Sequence, residues 1–200
     1  MIDQVISFVK DELSRSLQRS GGSAFLQDEP KQNPVVFVKG DDLDPISFPI
    51  GSISLLVVNI EHDRLTRPGD PFRRMAPDGT AQGIKPDVRV DLSVLFVARF
   101  NDYRHTLQRL SAVIQFFQEH PAFIRGEHPG LPEAIEKLLI EPVTLPFSAQ
   151  NEVWTALRAT YQPSLLYRVK TLVFQDRQPV EVPVYDKTTI VVRSMTGEGT

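Results

Sequence analysis

"KPDVRVDLSVLFVARFNDYRHTLQRLSAVIQFFQEHP", residues 85–121, changes its hydrophobic period partway through. Val88, Val90 and Leu92 alternate with Asp87, Arg89 and Asp91, the period-two signature of a strand over 85–100. Beyond it, Tyr103, Leu107, Leu110, Ile114 and Phe117 recur at helical spacing, and Val113 and Phe116 widen the stripe. Asn101 is a favourable N-cap type, and Pro121 ends the helix near His120.

Toward the N-terminus, "SISLLVVNIEHD" (52–63) is apolar without a break over 53–58, as a strand buried on both faces would be. It is the natural partner of 85–100. "PVVFVKG" (34–40) is a shorter strand. Ile2, Val5, Ile6, Val9, Leu13 and Leu17 predict a helix over 3–20, with Asp3 as its cap and Gly21 and Gly22 as its stop. The mixed charge of its polar face favours packing on a sheet over lying on a membrane.

Toward the C-terminus, 135–147 is a strand interrupted by Pro142, so an edge or a bulge. Residues 148–161 form a helix opened by Ser148 and carrying Trp154, and 164–176 is another alternating strand. The order is αββ, then αβαβ, then a tail. It predicts an α/β (α+β) fold with a mixed, largely antiparallel central sheet flanked by helices. The expected division is a domain over 1–176 and an extended strand or arm over 177–200.

Two hundred residues with a net charge of −3 give no global basic field for nucleic acid. The absence of cysteine rules out disulfides and thiolate metal sites. No run approaches the roughly 18 apolar residues of a membrane span. The N-terminal stretch carries Asp3, Asp11 and Glu12, unlike a signal peptide.

Signals for catalysis are weak. Ser7 and Lys10 match an S-x-x-K spacing, but inside a helix and without its companion motifs. Glu119, His120, Glu127 and His128 fall within ten residues, yet both pairs precede prolines or a loop where polar residues meet solvent, and solvation is the better reading than a metal site. Asp102, Arg104 and His105 suit a helix start. Trp154, with Leu157 and Tyr161, reads as core. No catalytic residue, cofactor or metal is expected.

Two features point to protein partners. The loop 62–84 carries Arg64, Arg67, Arg73 and Arg74 among prolines and glycines. Arginine forks pair bidentately with carboxylates at interfaces, although Asp63 and Asp70 offset part of the charge. The tail holds Val180, Val182 and Val184 in alternation with Glu181, Pro183 and Tyr185, then the run Ile190, Val191 and Val192. It forms either a hairpin on 165–175 or an arm completing a neighbour's sheet.

Three stretches carry a family resemblance. "LLVVNIEHDRLTR" (55–67), "DLSVLFVARFNDYRHTLQRLSAVIQFFQEHPAF" (91–123) and "LPEAIEKLLIEPVTLPFSAQNEVWTALRATYQPSLLYRVKTL" (131–172) resemble, in order, segments of the cap, or tail-terminator, family of phage-tail-like contractile injection systems. The similarity runs from about residue 2 to 176. It implies a tail-terminator-like fold and a homohexameric ring capping the inner tube and the sheath of a particle made in the bacterial cytoplasm. It implies no enzyme activity, nucleic acid or membrane. A 200-residue globule is roughly 43 Å across, and six in a ring leave a hole of about 40 Å, enough to continue a tube. The alternatives are an adaptor dimerising through strand pairing and, on the same scaffold, a small-molecule-binding enzyme domain.

Overall fold

Helix α1 (Ile2–Ser20) and helix α2 (Tyr103–Glu119) lie on one face of a six-stranded sheet in the computed structural model of the chain. The structure describes residues 1–20, 33–38, 46–62, 73–75, 81–83, 88–133 and 135–174. The sheet comprises β1 (Val35–Phe37), β2 (Ser52–His62), β5 (Val88–Arg99), β6 (Ala122–Ile124), β7 (Lys137–Val143) and β8 (Ser164–Phe174). Helix α3 is Phe147–Ala156. These elements fall within the unit Met1–Thr66 and Val88–Phe174. A separate pair, β3 (Arg73–Met75) and β4 (Ala81–Gly83), belongs to a second unit.

The strand order is β1-β2-β5-β8-β7-β6. Only β1 and β2 run parallel; every other neighbouring pair is antiparallel. The expected pairing of 52–61 with 85–100 is present, from Ser52↔Arg99 to His62↔Val90, with a register shift between Val57 and Asn59. The class is therefore the mixed, largely antiparallel one expected.

Alternation along the strands divides the core into two layers. Val94, Phe96, Ala98, Tyr167, Val169, Leu138 and Ile140 meet Val5, Val9, Leu13, Leu110, Val113, Phe116 and Phe117 of the helices. Leu95 and Val97 point the other way and bury Trp154 of α3 with Phe48. Val58 and Leu166 pack against them, and ion pairs lie farther out on that face. Lys170 pairs with Glu141 at 2.6 Å and Arg168 with Glu61 at 3.5 Å.

Several local expectations change. The cap of α2 is Asp102, not Asn101: its backbone is extended (φ −101°, ψ 125°) and its carboxylate accepts the Arg104 N–H at 2.9 Å. The buried stripe of α2 is turned toward Val113 and Phe116, leaving Tyr103, Leu107 and Ile114 exposed. Asp3 lies inside the first turn of α1, where the N-terminal amine contacts it at 2.8 Å. That contact, reinforced by the Gln4 backbone N–H, holds its carboxyl below the usual range. Ser148 lies within α3, whose N-cap is Pro146. The long arginine-bearing loop contains the β3–β4 ribbon, and a further short strand, β6, follows α2.

Candidate functional site

Among the described residues, no group of three or more histidine, aspartate or glutamate side chains is placed to hold a metal. His120 and His128 are half-buried and packed against aromatic rings. His120 stacks between Phe116 and Phe123, with centroids at 4.8 and 6.1 Å, and its Nδ1 lies 3.0 Å from the Phe116 carbonyl oxygen. His128 packs edge-on against Phe123 at 5.0 Å and Phe8 at 6.5 Å. Phe123 at their centre is fully buried. Lys10 of the S-x-x-K match contacts Asp11 at 3.0 Å and lies over the Phe37 ring at 5.1 Å.

Of the arginines singled out, Arg73 and Arg74 have their backbones in β3, opposite Gly83 and Gln82. Arg64 and Arg67 lie outside the described residues, as do Val180, Val182, Val184, Ile190 and Val192. The hairpin partner proposed for the tail is described, however. β8 is an inner strand, flanked by β5 along its length and by β7 from Leu166 to Lys170.

Among the described residues a groove of about 660 Å³ opens at the corner where β7 parts from β8. Ile114, Phe117 and Gln118 of α2 line one side, and Gln150, Val153 and Trp154 of α3 line another. Between them come Ile140, Pro142, Val143 and the start of β8. None of the lining residues carries a formal charge. Tyr167 and Phe117 face the α1/α2 layer, whereas Leu95, Leu166 and Trp154 face the α3 layer. Hydrogen-bonded strands leave no gap through a sheet, so residues of both faces can line one space only around an open edge.

β7 and β8 last pair at Val143↔Leu166, so the edge left open there is the start of β8, where Ser164 and Leu165 line the groove with Leu95 of β5. The outer side of β7 is a second edge. The Ile140 N–H bonds the Pro121 carbonyl oxygen at 2.9 Å, on the β6 side. Backbone donors on one side of a strand recur at every second residue, so position 142 points the same way. There the residue is proline, which has no N–H. β6 itself pairs only with Lys137–Leu139. Pro142 thus occupies the edge position expected for it, beyond the end of β6. Tyr167, opposite it on β8, is buried, and burial pushes its phenol above the ordinary value of 10.0.

Sequence reading did not find this groove. Its residues come from five elements, and only Pro142 and Trp154 drew attention singly. Phe147, at the start of α3, is 90% exposed and belongs to neither core layer.

No curated protein matches the chain. Among solved structures, a sheath/tube terminator of the extracellular contractile injection system PVC, in its extended state, is 17% identical with a TM-score of 0.51. The match covers 98% of this chain and 64% of that one, so this chain spans less than two thirds of that protein. The anti-feeding prophage cap, a tube-terminating cap, is also 17% identical, with a TM-score of 0.42 over 70% of this chain and 48% of that one. The fold is thus shared with a sheath/tube terminator, in line with the resemblance read from 55–67, 91–123 and 131–172. Residues 4–185 match the family model of the Pvc16 N-terminal domain, and the chain belongs to that family.

Proposed function

We propose that this chain is a structural cap that terminates the inner tube and sheath of a contractile injection particle. The observation that carries the reading is the family match over 4–185, joined to a fold shared across 98% of the chain with a sheath/tube terminator. The cap is a homohexameric ring seated on the last layer of tube and sheath. It stops polymerisation, fixes particle length and holds the distal end together. It acts through surfaces rather than catalysis, is made in the bacterial cytoplasm and leaves as part of the particle. Among the described residues no helix is long and apolar enough to cross a membrane.

The interface elements are the arginines Arg64, Arg67, Arg73 and Arg74 and the tail bearing Val180, Val182, Val184, Ile190 and Val192. A terminator meets a layer whose last subunits present unsatisfied strand edges. Strand addition covers such an edge, with backbone bonds for affinity and alternate side chains for register. Pro183 leaves one edge of the added strand without a donor and blunts further growth.

The test is imaging of particles assembled without this protein. Sheaths and tubes of uncontrolled length are expected. Particles of normal, uniform length would overturn the proposal.

A further inference from the structure

A sheet edge without a neighbouring strand is a template for pairing with another chain. β1 pairs only with residues 53–55 of β2. Among the described residues no strand lies beside 56–62 on that side. Asn59, Ile60, Glu61 and His62 are all exposed.

The direction of the Ile60 N–H follows from the strand ladder. The Ala98 N–H of β5 donates to the Pro163 carbonyl oxygen at 3.1 Å, on the β8 side. Donors on one side of a strand recur at every second residue, so the Leu92 N–H also points toward β8. Leu92 is the partner of Ile60 across the β2–β5 pairing. The two form a non-hydrogen-bonded pair, and the Ile60 N–H points away from β5, out of the sheet edge.

That N–H is not left open. It donates to the Asn59 Oδ1 at 2.9 Å, and the Asn59 Nδ2 donates to the Glu61 Oε1 at 3.0 Å. The Glu61 Oε2 lies 3.5 Å from a guanidinium nitrogen of Arg168 on β8. Residues 59 and 61 share one face of the strand, so Glu61 holds the amide of Asn59 and Arg168 holds Glu61.

We propose that Asn59 is a guard on the free edge of β2, and that it keeps this edge from pairing with the same edge of a second copy of the chain. Antiparallel pairing about a twofold axis at Ile60 would be self-complementary. It would set Glu61 of one copy opposite Asn59 of the other, so no like charges would oppose it. Ile60, β-branched and 54% exposed, suits a paired strand. What such a pair lacks is the outward Ile60 donor, which Asn59 occupies. β7 meets the same problem differently: Pro142 has no donor to offer.

The test uses the full chain and is independent of particle assembly. Asn59→Ala is expected to speed hydrogen exchange at the Ile60 amide about fivefold, as loss of one exposed hydrogen bond would. In sedimentation velocity it is expected to add a species heavier than the parent's, growing with concentration. Ile60→Pro in the Asn59→Ala background removes the freed N–H without removing a ladder bond, and the parent's mass is expected to return. Ile60→Lys in the same background sets two lysines opposite each other across the axis and is expected to do the same; it serves where proline disturbs the strand. Unchanged exchange at Ile60 in Asn59→Ala, or a mass identical to the parent's, overturns the proposal. Association that persists in both double variants overturns it as well, since it would then run through another surface.

Discussion

Tyr167 stands opposite Pro142 across the β7–β8 pairing, its ring against those of Phe96 and Phe117 at 5.8 and 4.6 Å. Burial raises its pKa above 10.0 in the folded chain, because a phenolate there would lose its hydration. The unfolded chain therefore gives up this proton first as the pH climbs. Below the unfolded value the residue adds no pH dependence; above about pH 10 the stability falls, since the unfolded state then binds fewer protons. Tyr167→Phe is expected to flatten that alkaline decline. Denaturant midpoints at pH 9 and pH 11 measure it, and an equal drop in both proteins would show that Tyr167 does not contribute. Burial of Trp154 was legible, since a lone tryptophan with apolar helical neighbours has few other uses. The cap of α2 was not, because Asn101 and Asp102 are both good cap types and only the backbone angle separates them. The ring contacts of the two histidines were not legible, because imidazole is polar by composition yet stacks on phenylalanine rings, as His120 does at 8° to Phe123.

Strands and helices longer than about two turns or five residues were legible from period alone. β2, β5, β8, α1 and α2 stand where alternation and helical spacing put them. β3, β4 and β6 are three residues each, too short to show a period. The stripe of α2 was too wide: apolar residues covered more of the helix than one face can bury, and packing chose the Val113 and Phe116 side. Pro142 was legible as an edge residue because a proline cannot donate to a ladder. Its own effect is testable at the level of the element. Pro142→Val restores an N–H on the open side of β7 and a β-branched residue suited to strands. The variant is expected to fold and to self-associate more at high concentration, read by static light scattering. Scattering identical to that of the parent protein would mean the missing donor is not what keeps this edge single.

For the whole molecule, the αββ–αβαβ order was enough for the fold class, and the period of each segment placed the elements. The strand order was not legible. The last strand of the described chain, β8, enters the middle of the sheet between β5 and β7, and nothing in its own sequence names partners so far away. Its inner position bears on the tail. Because β5 and β7 already occupy both sides of Leu166–Lys170, deletion of 177–200 is expected to leave a folded protein with cooperative thermal unfolding that no longer caps sheaths. An insoluble or non-cooperative product would instead assign the tail to the structural core. Reversal of charge at Arg64, Arg67, Arg73 and Arg74 together is expected to disturb docking on the tube, seen as particles of irregular length. Particles of normal length from that mutant would release these arginines from any docking role. The groove was illegible for the same reason as the strand order: it exists only where five distant segments meet.

β8 is also the strand through which any pull on the chain beyond Phe174 is transmitted. Its bonds to β5 run from Ser164 to Phe174, and those to β7 add a second row. A force directed along the strand stretches these rows in shear, so many bonds must fail together rather than one after another. An edge strand such as β6, three residues long, would peel away bond by bond. The sheet thus holds the chain at Phe174 in shear, and a protein pulled along β8 would withstand more axial tension than one pulled by an edge strand.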